Sequence, residues 1–335
     1  MTLTRNISAF ALLFAVLFIA CGARAEQPGA NPDAEALYER GNDYFQGDNG
    51  TPVNKEEAFN CWKKAAEMGH APSQHRLAYC YHFGEGVAQD LEKAIEWWRK
   101  SADQGCVKAQ FSLALCYFKG IGIARDSVEA VKWFRKAAEQ GHVNSQCNLG
   151  VCYDEGLGVA QDKAEAVKWY RKAAEQGLPE AQCDLAICLF SGEGVAQDKV
   201  EAIKWFRKAA ELGSVEAQYA LGYLYQEGLG FVQDNAEAVK WFRKAAEQGH
   251  VKAQYCLALC YLTGKGVAQD DAEAVRLFRK AAEQGDLEAQ HNLGVLYYNG
   301  VGVEKDYTEA LKWLRNAAAQ GSEKSVLFIK EFYEN

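Results

Sequence analysis

The stretch Ser145–Gly177, "SQCNLGVCYDEGLGVAQDKAEAVKWYRKAAEQG", decides the fold. Its first eleven residues place Leu149, Cys152 and Tyr153 at i, i+3 and i+4, the apolar stripe of a helix. Gly156 then reads as a stop, because glycine tolerates the left-handed backbone that follows a helix. Asp162-Lys163-Ala164-Glu165 has the spacing of a capping box and starts a second helix. In "EAVKWYRKAAEQG", Ala166, Val167, Trp169, Tyr170, Ala173 and Ala174 form a wide apolar face, with Lys168, Arg171 and Lys172 on the polar side. The stretch therefore predicts two helices joined by a short glycine-rich loop.

The same pattern returns every 36 residues. An Ala-Gln or Ser-Gln pair begins at Ser73, Ala109, Ser145, Ala181, Ala217, Ala253 and Ala289, and a glycine pair keeps step from Gly84/Gly86 to Gly300/Gly302. "GEGVAQD" stands identically at residues 84–90 and 192–198. Alone it could be a phosphate cradle or a cation loop. Seven copies at a fixed period are architecture. The aspartate ending the loop reads as a helix cap, repeated as Asp126/Glu129, Asp198/Glu201, Asp234/Glu237, Asp270/Glu273 and Asp306/Glu309. Calcium would need several converging oxygens, and the loop offers one. "KWFRK", recurring at Lys132, Lys204 and Lys240, looks like a basic-aromatic binding box. A core tryptophan beside solvated cations with apolar stems accounts for it better.

A degenerate copy comes first, carried by Gly41, Tyr44, Gly47, Ala58, Trp62, Ala65, Ala66 and Gly69. Eight repeats then fill residues 34–324. Residues 26–33 read as a disordered lead-in. Residues 325–335 restart the pattern as a capping helix, with Val326, Ile329 and Phe332 at helical spacing. Residues 1–25 read as a secretory signal peptide: Arg5, the apolar run Ala9–Ala20, and cleavage after Ala25. Export to the periplasm or the medium is expected, with lipidation at Cys21 as the alternative.

The chain has 335 residues, 49% apolar and 24% charged, with a net charge of −8. That balance predicts a folded chain and disfavours a general nucleic-acid binder, which must neutralise phosphates with Lys and Arg. No later stretch is apolar and long enough to span a membrane.

Of eleven cysteines, Cys80, Cys116, Cys152, Cys188 and Cys260 share one repeat position, where Leu224 and Leu296 stand in other copies. A site accepting Cys or Leu is buried and apolar. Cys147/Cys152 and Cys183/Cys188 are too far apart along a helix to bridge. Cys61 could meet Cys80 as a disulfide. His70, His142 and His250 fall in the turns between repeats, where Ser214 and Asp286 stand elsewhere, which favours capping over metal binding. His75 and His82 lack further ligands of suitable spacing. No metal or cofactor is expected.

Two helices per 36 residues, with "A-Q-x-x-L-G-x-x-Y-x-x-G-x-G-V" and "D-x-x-E-A-x-x-W-F/Y-x-K-A-A-E-Q-G", resemble the Sel-one-like repeat family of tetratricopeptide-like proteins. The resemblance covers about residues 34–335. It implies an all-α fold, a right-handed α/α solenoid of antiparallel helix pairs. It also implies a non-enzymatic scaffold that binds a protein or peptide, expected here to be monomeric. Some secreted, cysteine-rich relatives are described as penicillin-binding or β-lactamase proteins, which leaves a hydrolase as the alternative. The chain lacks the Ser-x-x-Lys and Lys-Thr-Gly pairs that chemistry uses, and it has no His-Glu-x-x-His.

In such a solenoid the shared positions build the core, and the variable residues of the first helices line the concave side. The third, seventh and tenth residues of each repeat share one helical face. In the early repeats they give His75, Tyr79 and His82, then Phe111 and Phe118 with Leu115, then Asp154 with Cys147 and Val151. Later they give Phe190 with Cys183 and Ile187, then Tyr219, Tyr223 and Gln226. Tyr255 with Leu259 and Leu262, and Tyr298 with His291 and Val295, complete the face. The aromatics would anchor an extended peptide or partner helix, while some pack on the neighbouring helix pair instead.

Overall fold

The computed structural model describes residues 31–333 other than residue 231, and the expected leader, Cys21 and the cleavage after Ala25 lie outside them. Among the described residues there are seventeen helices and no strand. They fall into two compact units, divided between residues 178 and 179 apart from the loop segment 193–195, which groups with the first unit. Each is a series of helix pairs, as an α/α solenoid requires.

The N-terminal unit holds α1 (Pro32–Gln46), α2 (Lys55–Glu67), α3 (Ala71–Phe83), α4 (Leu91–Asp103), α5 (Val107–Lys119), α6 (Ser127–Glu139), α7 (Val143–Glu155) and α8 (Lys163–Glu175). The C-terminal unit holds α9 (Pro179–Ser191), α10 (Lys199–Glu211), α11 (Val215–Glu227), α12 (Asn235–Glu247), α13 (Val251–Thr263), α14 (Asp271–Glu283), α15 (Leu287–Asn299), α16 (Tyr307–Ala319) and α17 (Glu323–Tyr333). Odd-numbered helices are the first of each pair. Each from α1 to α15 packs on the even-numbered helix that follows it, α17 packs on α16, and within a unit each pair packs on the next.

The apolar stripes form the core as expected. Phe134, Phe206, Phe242 and Phe278 are fully buried, each stabilising the fold by roughly 1.5–3 kcal/mol. Small residues let the paired helices close up. A Cβ on Gly150 would lie 2.7 Å from the Tyr170 ring.

The loop glycines do two jobs. Gly156 ends α7 in the left-handed region, φ 70°. Gly158, also left-handed at 71°, lies against the first turn of α6, where any Cβ would overlap the Ser127 carbonyl. The loop is thus a spacer that stacks one repeat on the last. The aspartates cap as expected: Asp162 accepts from the Glu165 N–H at 2.9 Å and Asp198 from the Glu201 N–H at 2.8 Å. The reciprocal half of the box is different. The Asp162 N–H donates to the Tyr153 carbonyl at 2.8 Å, so Glu165 is free to pair with Lys168 at 2.7 Å.

Two ladders hold successive helices in register. Gln110 donates to the Ala102 carbonyl that ends α4 (3.2 Å) and accepts from Gln140 at the end of α6 (2.8 Å). Gln218 repeats this with Ala210 and Gln248. Arg135 donates to the Tyr153 hydroxyl at 2.6 Å and Arg243 to the Tyr261 hydroxyl at 3.0 Å, joining α6 to α7 and α12 to α13. The arginines of the basic-aromatic boxes are therefore structural. Their second lysines lie over their own tryptophans, as Lys136 does over Trp133 at 3.9 Å.

Both terminal helices start before the expected bounds. Helix α1 starts inside the supposed lead-in: Asn31 accepts from the Asp33 N–H and Pro32 takes the first turn, where a missing N–H is harmless. Helix α17 begins at Glu323. Its Ser325 is buried and its Phe328, Phe332 and Tyr333 gather around Tyr298, while Val326 of the expected stripe is 38% exposed. Ile329 and Phe332 occupy the register that a following helix covers elsewhere. Lys330 stands where the other repeats keep Gly or Ala, which excludes that close packing.

Among the described residues the ten cysteines are all thiols, so Cys61 and Cys80 do not pair. Burial pushes the Cys80, Cys116 and Cys152 thiols up to about 12.

Candidate functional site

Phe111 and Tyr219, each the fifth residue of its odd helix, are held by the residue that caps the next odd helix. His142 caps α7, its Nδ1 accepting from the Ser145 N–H at 3.3 Å, and its ring lies 4.7 Å from Phe111. His250 caps α13 through the Ala253 N–H at 3.1 Å and stacks on Tyr219 at 4.6 Å and 26°. Both histidines are kept neutral by burial, His142 down to about 4. The capping role read for these turn histidines is present, and it also props an aromatic on the variable face. That second role left no mark in the sequence, because the partners lie 31 residues apart.

His70 differs. Its side chain makes no cap bond. Its Nδ1 meets the Ser73 hydroxyl at 2.7 Å and its Nε2 the Glu35 carboxylate at 3.1 Å. Ser, His and Glu in series have the connectivity of a nucleophilic triad. Ser73 is fully buried in the first turn of α3, so no substrate carbonyl can reach its oxygen. Burial of His70 outweighs Glu35 and lowers its pKa, which keeps the ring neutral. The group ties α1 to α3.

The candidate face is partly accessible. In the N-terminal unit Tyr79 lies half-buried against Phe83 at 4.5 Å. Phe118 sits between the Phe134 ring and the Arg125 guanidinium. In the C-terminal unit Phe190, Tyr219, Tyr223, Gln226 and Tyr255 are half-buried. Lys199 lies over Phe190 at 5.5 Å, and Gln226 donates to the Glu227 carboxylate at 3.1 Å. Tyr255 packs edge-on to Phe278.

Other residues leave the set. His82 and Asp154 are buried, at 8% and 2% exposed. Glutamines of the following loops bond their carbonyls, Gln89 at 2.7 Å and Gln161 at 2.6 Å, as Gln197 and Gln233 do for the half-buried Phe190 and Gln226, and His82 packs on Trp98 at 5.1 Å. His75 carries a buried Nδ1 without a hydrogen-bond partner. Burial, with Arg76 and Lys108 nearby, lowers its pKa to about 3. Tyr298 is enclosed by Tyr307, Phe328, Phe332 and Tyr333 at 5.1–5.7 Å. It anchors α17 rather than a ligand.

Among the described residues no three His, Cys, Asp or Glu side chains are placed to hold a metal. No helix there is long and apolar enough to cross a membrane.

The Sel1 repeat profile matches eight consecutive segments, residues 34–70, 71–106, 107–142, 143–178, 179–214, 215–250, 251–286 and 287–322. Two solved structures are similar along most of the chain. One is a protective antigen of uropathogenic Escherichia coli strains displaying an SLR fold, at 36% identity and TM-score 0.67, covering 90% of this chain and 72% of that one. The other is a Sel1 repeat protein from Oxalobacter formigenes, at 33% identity and TM-score 0.71, covering 89% and 86%. No functionally curated protein matches the chain.

Proposed function

The chain belongs to the Sel1 repeat family, and from that premise we propose that it is an exported, non-enzymatic scaffold that binds a protein or peptide along the odd-helix face. One observation carries this reading. Side chains at the shared positions are buried in ladders and cores, while one side of the odd helices carries half-buried aromatics, Tyr79, Phe118, Phe190, Tyr219, Tyr223 and Tyr255, at positions whose residue varies between repeats. Variation on an otherwise fixed frame is where a repeat protein places recognition. Half-buried aromatics with clamped rings lose little freedom on binding, which makes them efficient anchors.

The test is capture from native extract and medium with the chain starting at Glu26 as bait. Beside it runs a variant with Tyr79, Phe118, Tyr223 and Tyr255 changed to Ser. The expected result is a protein held by the parent and lost by the variant at unchanged helicity. Retention by both would move binding to the even helices or the loops.

A further inference from the structure

On α11 the residues Glu216, Tyr219, Tyr223 and Glu227 follow at intervals of three and four, so they lie on one side of the helix. Both glutamates are exposed and both tyrosines half-buried. The Tyr223 hydroxyl makes no hydrogen bond among the described residues. On the neighbouring helices, Tyr255 of α13 receives a long contact from Asn292 of α15 at 3.5 Å. Glu288 lies near enough to raise its phenol pKa beyond the effect of burial, and Glu227 does the same for Tyr223. Tyrosine rings and carboxylates are thus neighbours across three helices.

The cations here are already engaged. Lys252 meets the buried carboxylate of Asp286 at 2.6 Å, and Lys324 meets Glu288 at 3.5 Å. Glu216 and Glu227 have no such partner among the described residues. The corresponding positions on α5 hold Lys108 and Lys119 around Phe111 and Phe118, and α7 and α9 each keep one carboxylate there, Glu155 and Glu180, so the pair of carboxylates is particular to α11.

We propose that the tyrosine face of α11, α13 and α15 docks a basic, lysine- or arginine-bearing segment of a partner protein. The face combines the two things a side-chain cation seeks: the negative face of an aromatic ring and a nearby carboxylate. A nucleic acid is repelled by the same carboxylates. The inference rests on the scaffold reading and adds the chemistry of the ligand and the unit that holds it.

The experiment uses an array of extended twelve-residue peptides, balanced in composition, probed with the tagged full chain. The variants are Glu216→Lys/Glu227→Lys and Tyr223→Ala/Tyr255→Ala. Lysine is already present at the equivalent α5 positions, so the charge variant keeps the fold, and circular dichroism checks this. The expected result is a retained set enriched in Lys and Arg and depleted in Asp and Glu. The charge variant loses that enrichment, and the tyrosine variant weakens retained peptides about tenfold. Binding without charge preference, but lost in the tyrosine variant, overturns the basic-ligand inference and leaves the scaffold reading standing. Enrichment that survives the charge variant also overturns it. No retained peptide of any charge overturns both.

Discussion

Helix α5 shows Lys108, Phe111, Phe118 and Lys119 along one side, while α11 shows Glu216, Tyr219, Gln226 and Glu227 at the same repeat positions. Behind those faces the two helices are nearly interchangeable. Gln110 and Gln218 make the same pair of bonds. Leu113 and Leu221 are both fully buried, and Cys116 and Leu224 fill one apolar slot. A repeat separates the two tasks physically. Residues that meet the neighbouring helices are constrained by hydrogen bonds at fixed distance, and residues that meet solvent can change charge without disturbing them.

The harshest way to break this comparison is in the core. Phe134→Ala in one unit and Phe242→Ala in the other should each destabilise by about 3–5 kcal/mol, because both rings are fully buried among the same kinds of neighbour. Urea unfolding checks this, and a large inequality would show that the units do not share one core.

The loop glycines come next. Gly158→Ala and Gly266→Ala must place a Cβ in the left-handed region and against a carbonyl of the preceding even helix. A loss of about 2–4 kcal/mol is expected in each unit. Gly105→Ala and Gly249→Ala, left-handed but open on the Cβ side, should lose only about 1–2 kcal/mol.

Acid should separate the units. His75 and His142 of the N-terminal unit have pKa values pushed by burial to about 3 and about 4. Burial lowers His250 and His291 of the C-terminal unit as well, by smaller shifts; the unfolded chain takes up the protons of His75 and His142 near pH 6.5 and the folded chain does not. The stability they confer is therefore complete above pH 6.5 and lost as pH falls through 6.5 toward 4 and then 3. Amide exchange followed by mass spectrometry should show α3–α7 opening at higher pH than α11–α15. His142→Asn, a cap that does not titrate, should narrow that difference.

The smallest effect on stability should come from the face. Tyr223→Ala should change the unfolding free energy by less than about 1 kcal/mol, while lowering retention of a bound peptide about tenfold. A stability loss as large as that of Phe242→Ala would mean that Tyr223 is a core residue.

Much of this architecture could be read from the chain. The Leu149, Cys152, Tyr153 stripe, the Gly156 stop and the Asp162 cap are local signals, because their partners lie within four or five residues. The ladders were illegible because Gln110 meets Gln140 and Arg135 meets Tyr153 across 30 and 18 residues. Periodicity placed Asp154 and His82 on the right side of their helices and could not show that both are buried there, His82 against Trp98. It marked Tyr298 as a face residue, and only the packing of α17 shows that Phe328 and Tyr333 cover it. Half-exposure of Tyr223 and Tyr255 likewise depends on neighbours that a single repeat does not contain.

The most direct measurement is photo-crosslinking with a benzophenone amino acid at position 223, on the odd-helix face, or at position 240, whose lysine points outward from α12 at 65% side-chain exposure. If the odd helices form the recognition surface, a captured partner crosslinks from position 223 and not from 240. Crosslinking from 240 alone would contradict the account and place recognition on the opposite helices.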